Sequence, residues 1–303
     1  MPLLDLPNEV LLQIVECFVD HSFDSSRSWG SLSIQSHYAE VYISRMTRVN
    51  RRFRSLFNDY LYRHNVQRLH SSGLLWAAKH KQLSTARRLL DAGANVDARL
   101  NYYAKNNPYY TPLIIAVRKK DHEFIKLLLD RGANPEVSDD YGLTPFSHAI
   151  KRRLDNIALL ILEHISDLAT CNVGQSRHFR PALHVASGYG LPKSVRYILE
   201  RGVEVDGLDG FDKTPLYDAL NSPLYLTKMP FNGSSLDDDL LECMEILMEC
   251  GADPDIKIIT SDGWVGELTP RELAARHKDE RVRLLFEVSL AHLDFIWMEY
   301  LSI

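Results

Sequence analysis

Large aromatic rings and an arginine are concentrated in a few short segments of this sequence. Such rings and the guanidinium group can be desolvated at low entropic cost, and they commonly anchor contacts between proteins. The chemistry that these segments indicate is therefore noncovalent recognition of another protein. The predicted target-binding residues are Tyr102, Tyr103, Tyr109, Tyr110, Tyr141, Arg177, His178, Phe179, Phe211 and Trp264.

Catalytic chemistry is not indicated by any residue spacing. The sequence contains no H-E-x-x-H, G-x-x-x-x-G-K or G-x-S-x-G pattern, each of which places reactive or phosphate-binding groups on a defined turn or helix. Gly188-Tyr189-Gly190 has no strand before it, so we interpret it as a turn between helices. The cysteines have no metal-ligand spacing and are expected to be reduced and mostly buried; they are Cys17, Cys171, Cys243 and Cys250. We expect no enzymatic activity, no cofactor and no metal.

Two short sequence motifs, here called phrases, alternate along the chain and flank the aromatic segments. Thr-Pro begins a helix, because the Thr side chain accepts from the exposed N–H groups of the first turn and Pro suits the first helical position. A Gly that follows an apolar-acidic turn ends a helix by adopting the left-handed conformation. The Thr-Pro phrase occurs at Thr111, Thr144, Thr214 and Thr269, and the closing Gly occurs at Gly93, Gly132, Gly202 and Gly251.

The intervals between these phrases predict a repeated helix hairpin. Leu113 to Gly132 is 19 positions and Gly132 to Phe146 is 14, which gives a period of 33. This period and this sequence pattern closely resemble those of the ankyrin repeat. The resemblance implies an all-α ankyrin-repeat solenoid of about six helix-pair units with short hairpin fingers. The predicted units are 72–101, 111–141, 144–174, 181–211, 214–262 and 269–286, followed by a helical tail at 287–303.

In repeats of this kind, as the resemblance implies, the segment between the Gly and the next Thr-Pro forms a finger. The fingers and the first helices then line a concave surface. The fingers that begin at Gly93 and Gly251 are six residues longer than the regular ones, and the finger that begins at Ile165 is four residues longer. Most of the predicted target-binding residues lie in these longer fingers. Alternatively, Tyr102, Tyr103 and Tyr109 pack only on their own extended loops. A separate insertion at 222–239 predicts a long connection inside the fifth unit.

The first 70 residues follow a different pattern, with a polar insertion at 21–44. Leu-Pro-x-Glu-Val-Leu-x-x-Ile from Leu6 to Ile14, and Val-x-Arg-Arg-Phe-Arg-x-Leu from Val49 to Leu56, each carry one apolar helical stripe. These phrases resemble the F-box, and the whole chain resembles an F-box/ankyrin architecture of fungal type. The resemblance implies docking to the Skp-type adaptor of a cullin–RING ubiquitin ligase. The predicted adaptor-docking residues are Leu6, Pro7, Ile14, Val49, Phe53 and Leu56.

Two functions remain open at this point. The first is a substrate-recruiting subunit that docks the adaptor through its N-terminal helices and selects a target protein with its repeats. The second is a plain ankyrin-repeat scaffold, in which the N-terminal helices only cover the open face of the first repeat, because a repeat stack needs such a cap.

Composition favours neither nucleic acid nor membrane as a partner. The formal net charge is −5 over 303 residues, which gives no electrostatic basis for binding nucleic acid. No stretch approaches the roughly 20 apolar residues that span a bilayer, and the N-terminus lacks the basic lead of a secretory signal. We expect a cytoplasmic or nuclear protein.

Overall fold

Short helices connected by tight turns make up almost all of the structure. The computed structural model describes residues 11, 51–68, 71–99, 110–168, 171, 180–222, 235–259 and 267–287. The chain divides into two units, Met1–Tyr102 and Tyr103–Ile303.

The first unit contains α1 (Arg51–Arg68), α2 (Ser72–Lys79) and α3 (Leu83–Asp91), and α1 contacts both other helices. The contact is polar at its centre: Asn65 is buried, and its Oδ1 accepts a hydrogen bond from the Gly73 N–H at 2.9 Å. α1 continues from Arg51 to Arg68, beyond the phrase that ends at Leu56. No Gly or Pro interrupts this stretch, and His64 and Asn65 near its end are buried.

The second unit contains ten further helices and one short pair of strands within the described ranges. Residues Ile258–Ile259 (β1) pair antiparallel with Glu267–Leu268 (β2) inside a longer finger. The helices are α4 (Pro112–Arg118), α5 (His122–Asp130), α6 (Pro145–Ile150), α7 (Asp155–Leu162), α8 (Ala182–Gly188), α9 (Pro192–Glu200), α10 (Pro215–Leu220), α11 (Ser235–Glu249), α12 (Pro270–Ala275) and residues 280–287 as α13.

The helices of the second unit begin and end where the phrases predict. Thr144 Oγ1 accepts from the Ser147 N–H at 3.1 Å, and Ser147 Oγ accepts from the Thr144 N–H at 3.3 Å, which closes a capping box. Gly132 and Gly202 both have φ +81°, where a side chain would be strained. In the fifth unit α10 ends at Leu220 and α11 begins at Ser235, so residues 235–239 of the predicted insertion belong to a helix.

Apolar side chains from successive helix pairs form a linear core. First helices pack on first helices, as in α4 with α6 and α8 with α10, and second helices pack on second helices, as in α7 with α9 and α9 with α11. Leu113, Phe124, Phe146 and Ile157 are each at most 1% exposed. Each pair therefore buries its apolar face against its neighbours, which is the packing of a solenoid.

Two arginines in one turn bond to the turns on both sides of it. Arg152, directly after α6, donates from Nη1 to the Arg118 carbonyl of the preceding repeat at 2.7 Å. Arg153 donates from Nε to the Tyr189 carbonyl of the following repeat at 3.0 Å. The carbonyls at the end of a helix lack partners within the helix, so these bonds satisfy groups that the fold itself leaves open.

Candidate functional site

Two regular fingers are fully described, and each is fixed by one buried aspartate. In finger A (residues 133–143), Asp139 Oδ1 accepts from the N–H groups of Tyr141 and Leu143, both at 2.9 Å. In finger B (residues 203–213), Asp209 Oδ1 accepts from the N–H groups of Phe211 and Lys213 at 2.8 and 3.1 Å. The same aspartate position therefore holds both hairpins in one conformation.

Each hairpin presents an aromatic ring close to its tip. Tyr141 of finger A is 61% exposed. Phe211 of finger B is half-buried, and the Lys213 Nζ lies 5.8 Å from the centre of its ring. Because the backbone on either side of each ring is already fixed, a partner would meet preordered rings and would lose little entropy in ordering them.

A basic cluster lies beside finger A and consists of Tyr110, Arg118, His148 and Arg152. The Arg118 Cζ lies 4.4 Å from the centre of the Tyr110 ring, and its Nη1 donates to the Tyr110 hydroxyl at 2.7 Å. The His148 ring meets the Tyr110 ring edge-on at 5.9 Å, and its Nε2 bonds to Asp139 Oδ2 at 2.8 Å. Contacts therefore run continuously from finger A to the far end of α4.

The charge of the basic cluster comes from its arginines. Burial lowers the pKa of His148, although its bond to Asp139 opposes this shift and the nearby charges of Arg118 and Arg152 add to it. His148 is thus neutral at neutral pH. Burial also lowers the pKa of Arg152, and the Arg118 charge lowers it further.

An acidic cluster lies beside finger B and consists of Arg180, Asp209 and Asp218. Arg180 Nη2 lies 2.7 Å from Asp218 Oδ2, and Arg180 Nε lies 3.8 Å from Asp209 Oδ2. Burial raises the pKa of Asp218, an effect that Arg180 opposes. One guanidinium group thus faces two carboxylates that are largely removed from water.

The two clusters occupy the same positions of different repeats. Asp139 and Asp209 are 70 positions apart, and so are His148 and Asp218, and Tyr110 and Arg180. The same three repeat positions therefore lie beside each finger, but the residues at two of these positions differ in charge between the two repeats.

The structure describes only part of the predicted site. Tyr110, Tyr141 and Phe211 lie beside or on the two fingers, and Phe53 and Leu56 lie in α1. The other predicted residues lie outside the described ranges: Leu6, Pro7, Ile14, Val49, Tyr102, Tyr103, Tyr109, Arg177, His178, Phe179 and Trp264.

Several residues of the two clusters were missed by the sequence analysis, namely Arg118, His148, Arg152, Arg180, Asp209 and Asp218. Their common signal is position within the repeat rather than residue type. His148 and Asp218 each stand two residues after the apolar residue that follows Thr-Pro. Trp76 stands at the equivalent position, two residues after Leu74; it is 53% exposed and stacks on His80 with ring centres 4.7 Å apart. Comparing the repeats position by position would have identified these residues.

Three other features were sought in the described ranges: a metal site, a reactive thiol and a membrane-spanning helix. These ranges contain no group of three or more His, Cys, Asp or Glu side chains that could hold a metal ion. Burial raises the pKa of Cys171 to about 12, so this thiol is not a reactive nucleophile at neutral pH. No helix within the same ranges is long and apolar enough to cross a membrane.

Comparison with known proteins agrees with this geometry. Residues 74–172 match the family model described as ankyrin repeats in three copies. The chain is 40% identical over 78 residues to a putative ankyrin repeat-containing protein of Treponema pallidum, covering 26% of this chain and 24% of that protein. It is 32% identical over 142 residues to the mouse B-cell lymphoma 3 protein homolog, covering 46% of this chain and 30% of that protein.

A solved structure extends the likeness of the fold. An ankyrin repeat domain from Acinetobacter baumannii AYE superposes with a TM-score of 0.53 at 22% identity, over 71% of this chain and 96% of that domain. The chain thus contains ankyrin repeats and has the ankyrin solenoid fold. Because it spans less than a third of the length of the two curated relatives described above, the likeness concerns the repeats and not those whole proteins.

Proposed function

We propose that this chain is a non-enzymatic protein-interaction module that binds a target protein with the fingers and first helices of its repeats. One observation carries the proposal: Tyr141 is 61% exposed on a hairpin whose backbone is fixed by Asp139. A large exposed ring on a rigid support is typical of residues that dominate binding energy in protein interfaces.

The experiment is affinity purification of the full chain from its own cells, followed by mass spectrometry. The double substitution Tyr141→Ala with Phe211→Ala is expected to reduce recovery of the target at least tenfold, since removing a dominant interface residue costs about 2 kcal/mol or more. Leu284→Ala is the matched control, because Leu284 is a 49% exposed apolar residue far along the chain in α13. Equal recovery by wild type and the double variant would refute the proposal for these fingers.

We further propose that the N-terminal segment docks the Skp-type adaptor of a cullin–RING ubiquitin ligase. The support is the pair of phrases from Leu6 to Ile14 and from Val49 to Leu56, together with the helix that contains the second phrase from Arg51 onward. Under this proposal the repeats select the protein that the ligase modifies. Target and adaptor would then bind at different parts of the same chain.

The contacts of α1 favour the alternative, a plain scaffold, at least for its C-terminal half. Asn65 is buried against the start of α2, and the Ser71 N–H bonds to its carbonyl at 3.2 Å. This half of α1 therefore covers the first repeat as a cap does. The two roles are compatible, because the predicted docking residues all precede this half.

Co-precipitation with the adaptor and the cullin separates the two proposals. Pro7→Ala with Ile14→Asp is expected to abolish adaptor binding and to leave target recovery unchanged. Adaptor binding that survives these substitutions in a folded protein would refute the docking assignment. If the wild-type chain binds target but no adaptor, the scaffold function stands alone.

A further inference from the structure

The arginines of the basic cluster differ from others in the described ranges in lacking an acidic partner. Arg153, Arg180 and Arg271 each form an ion pair with an aspartate. Arg118 instead contacts the ring and hydroxyl of Tyr110, and Arg152 contacts only a backbone carbonyl. Two guanidinium groups thus lie close together, and no carboxylate of the described residues is paired to either of them.

The cluster is also prepared to receive an anion. A guanidinium group carries five N–H donors, and one donor of each arginine is used within the cluster, Nη1 in both cases. Both residues are exposed. Stacking on the Tyr110 ring holds Arg118 along the outer face of α4, so its remaining donors are ordered before a ligand arrives.

The local charge is positive after the nearby acid is counted. Asp139 is the carboxylate that contacts the cluster, and its Oδ2 is bonded to His148. His148 carries no charge at neutral pH because burial lowers its pKa. Counted over the four cluster residues and Asp139 alone, two arginines against one aspartate leave an excess of one positive charge beside an exposed tyrosine of finger A.

From this arrangement we propose that the basic cluster binds an aspartate or glutamate side chain of the target protein, with Arg118 and Arg152 as its donors and Tyr110 as its apolar wall. The proposal deepens the function above and rests on it. Asp139 bonds both to the Tyr141 N–H and to His148, so the exposed Tyr141 ring lies near the cluster. The proposal therefore predicts that the target carries an acidic residue beside an apolar one, which would contact that ring. The acidic cluster beside finger B would repel the same acidic residue. The acidic residue of the target should therefore lie against finger A and not against finger B.

The test is selection of a random 12-residue peptide library on the full chain. Peptides selected by the wild type should be enriched in Asp or Glu, and Arg118→Glu with Arg152→Glu should abolish that enrichment. Lys119→Glu with Lys151→Glu is the matched control, because it makes the same change in net charge at exposed positions directly beside both arginines. The control is expected to retain the enrichment. Unchanged enrichment in the arginine variant would overturn the proposal.

A second measurement identifies the recognised group. In a fluorescence anisotropy titration, a selected peptide should bind about tenfold more weakly when its acidic residue is replaced by the neutral amide, since a charge-assisted bond is lost. Binding should also weaken as the NaCl concentration is raised from roughly 0.1 to 0.5 M, because salt screens the interaction between exposed charges. A version carrying phosphoserine that binds while the carboxylate version does not would overturn the assignment to a carboxylate.

The outcomes distinguish this inference from the proposed function. Selected peptides that lack acidic enrichment, together with a target captured through Tyr141 and Phe211, would overturn the inference and leave the function standing. The same conclusion holds if the library gives no binder while the target is captured. Failure of the full chain to capture any target would overturn both.

Discussion

The basic cluster and the acidic cluster occupy the same repeat positions and have opposite character. Beside finger A, Asp139 meets a neutral histidine, and the neighbouring arginines have no acidic partner among the residues that the structure describes. Beside finger B, Asp209 and Asp218 share Arg180. The first arrangement leaves positive charge open to a ligand, whereas in the second the one cation is already paired with carboxylates of the chain.

This difference separates what the repeat fixes from what it leaves free. The aspartate that locks each finger is the same in both places and makes the same two bonds to the hairpin backbone. The positions around it carry Tyr110 and His148 in one case, and Arg180 and Asp218 in the other. The scaffold therefore tolerates a reversal of charge, and such positions can encode recognition of a partner.

The largest expected effect comes from removing the cation of the acidic cluster. Arg180→Met leaves two largely buried carboxylates facing each other, and we expect a loss of about 2 kcal/mol in the free energy of unfolding. Tyr110→Met, at the equivalent position, should cost about 1 kcal/mol, because His148 keeps its bond to Asp139. Urea denaturation followed by circular dichroism measures both. Equal losses would show that the clusters are energetically alike; recovery of stability on adding Asp218→Asn would confirm the cause.

An intermediate effect is expected at the aspartates that hold the fingers. Asp139→Asn keeps an oxygen for the hairpin N–H groups but weakens the bond to His148, at a cost of about 1 kcal/mol. Asp209→Asn keeps the same oxygen and removes one of two like charges, so its cost should be below about 0.5 kcal/mol. Asp130→Asn, at the exposed end of α5, is the control. A larger loss for Asp209→Asn in thermal unfolding would contradict the proposed sharing of Arg180.

The smallest effect concerns pH. Since the pKa of His148 is lowered in the folded state, its stabilising contribution is present above the ordinary histidine pKa of about 6.5 and is lost as the pH falls through the lowered value. Asp218 has a raised pKa, so its contribution is present below the ordinary aspartate pKa and is lost as the pH rises through the raised value. Between pH 7.5 and 5.5 the His148 contribution should lower the melting temperature while the Asp218 contribution opposes this change, so the melting temperature of His148→Asn should fall less than that of the wild type. A fall of the same size in the variant would contradict the assignment.

Most of the helical framework could be predicted because its signals are local. A Thr cap acts within three residues, as in Thr111 with Ile114, and a closing Gly acts within one turn. The same rules placed the long connection before α11. They failed to give the end of α1, because that end is fixed by packing on α2 and not by a cap or a breaker in its own sequence.

The two clusters could not be predicted in the same way. Tyr110 and His148 are 38 positions apart, and Arg180 and Asp218 are also 38 positions apart. Their contacts depend on the packing of one repeat on the next. Large rings in the fingers are conspicuous by residue type alone, whereas the cluster residues on the first helices stand out only when equivalent repeat positions are compared. A repeat protein allows that comparison without any structure, since the phrases supply the alignment.

The neighbouring arginines Arg152 and Arg153 also have a mechanical consequence. They belong to the third repeat, which has Ile165 where other repeats have a closing Gly, and they bond in opposite directions to the turns before and after it. Three successive repeats are thereby tied together at one end of their helices. If the chain were pulled from its ends in a single-molecule experiment, these three should rupture in one step of about 100 residues, as three repeats of 33 residues give, and Arg152→Ala with Arg153→Ala should divide that step into smaller ones.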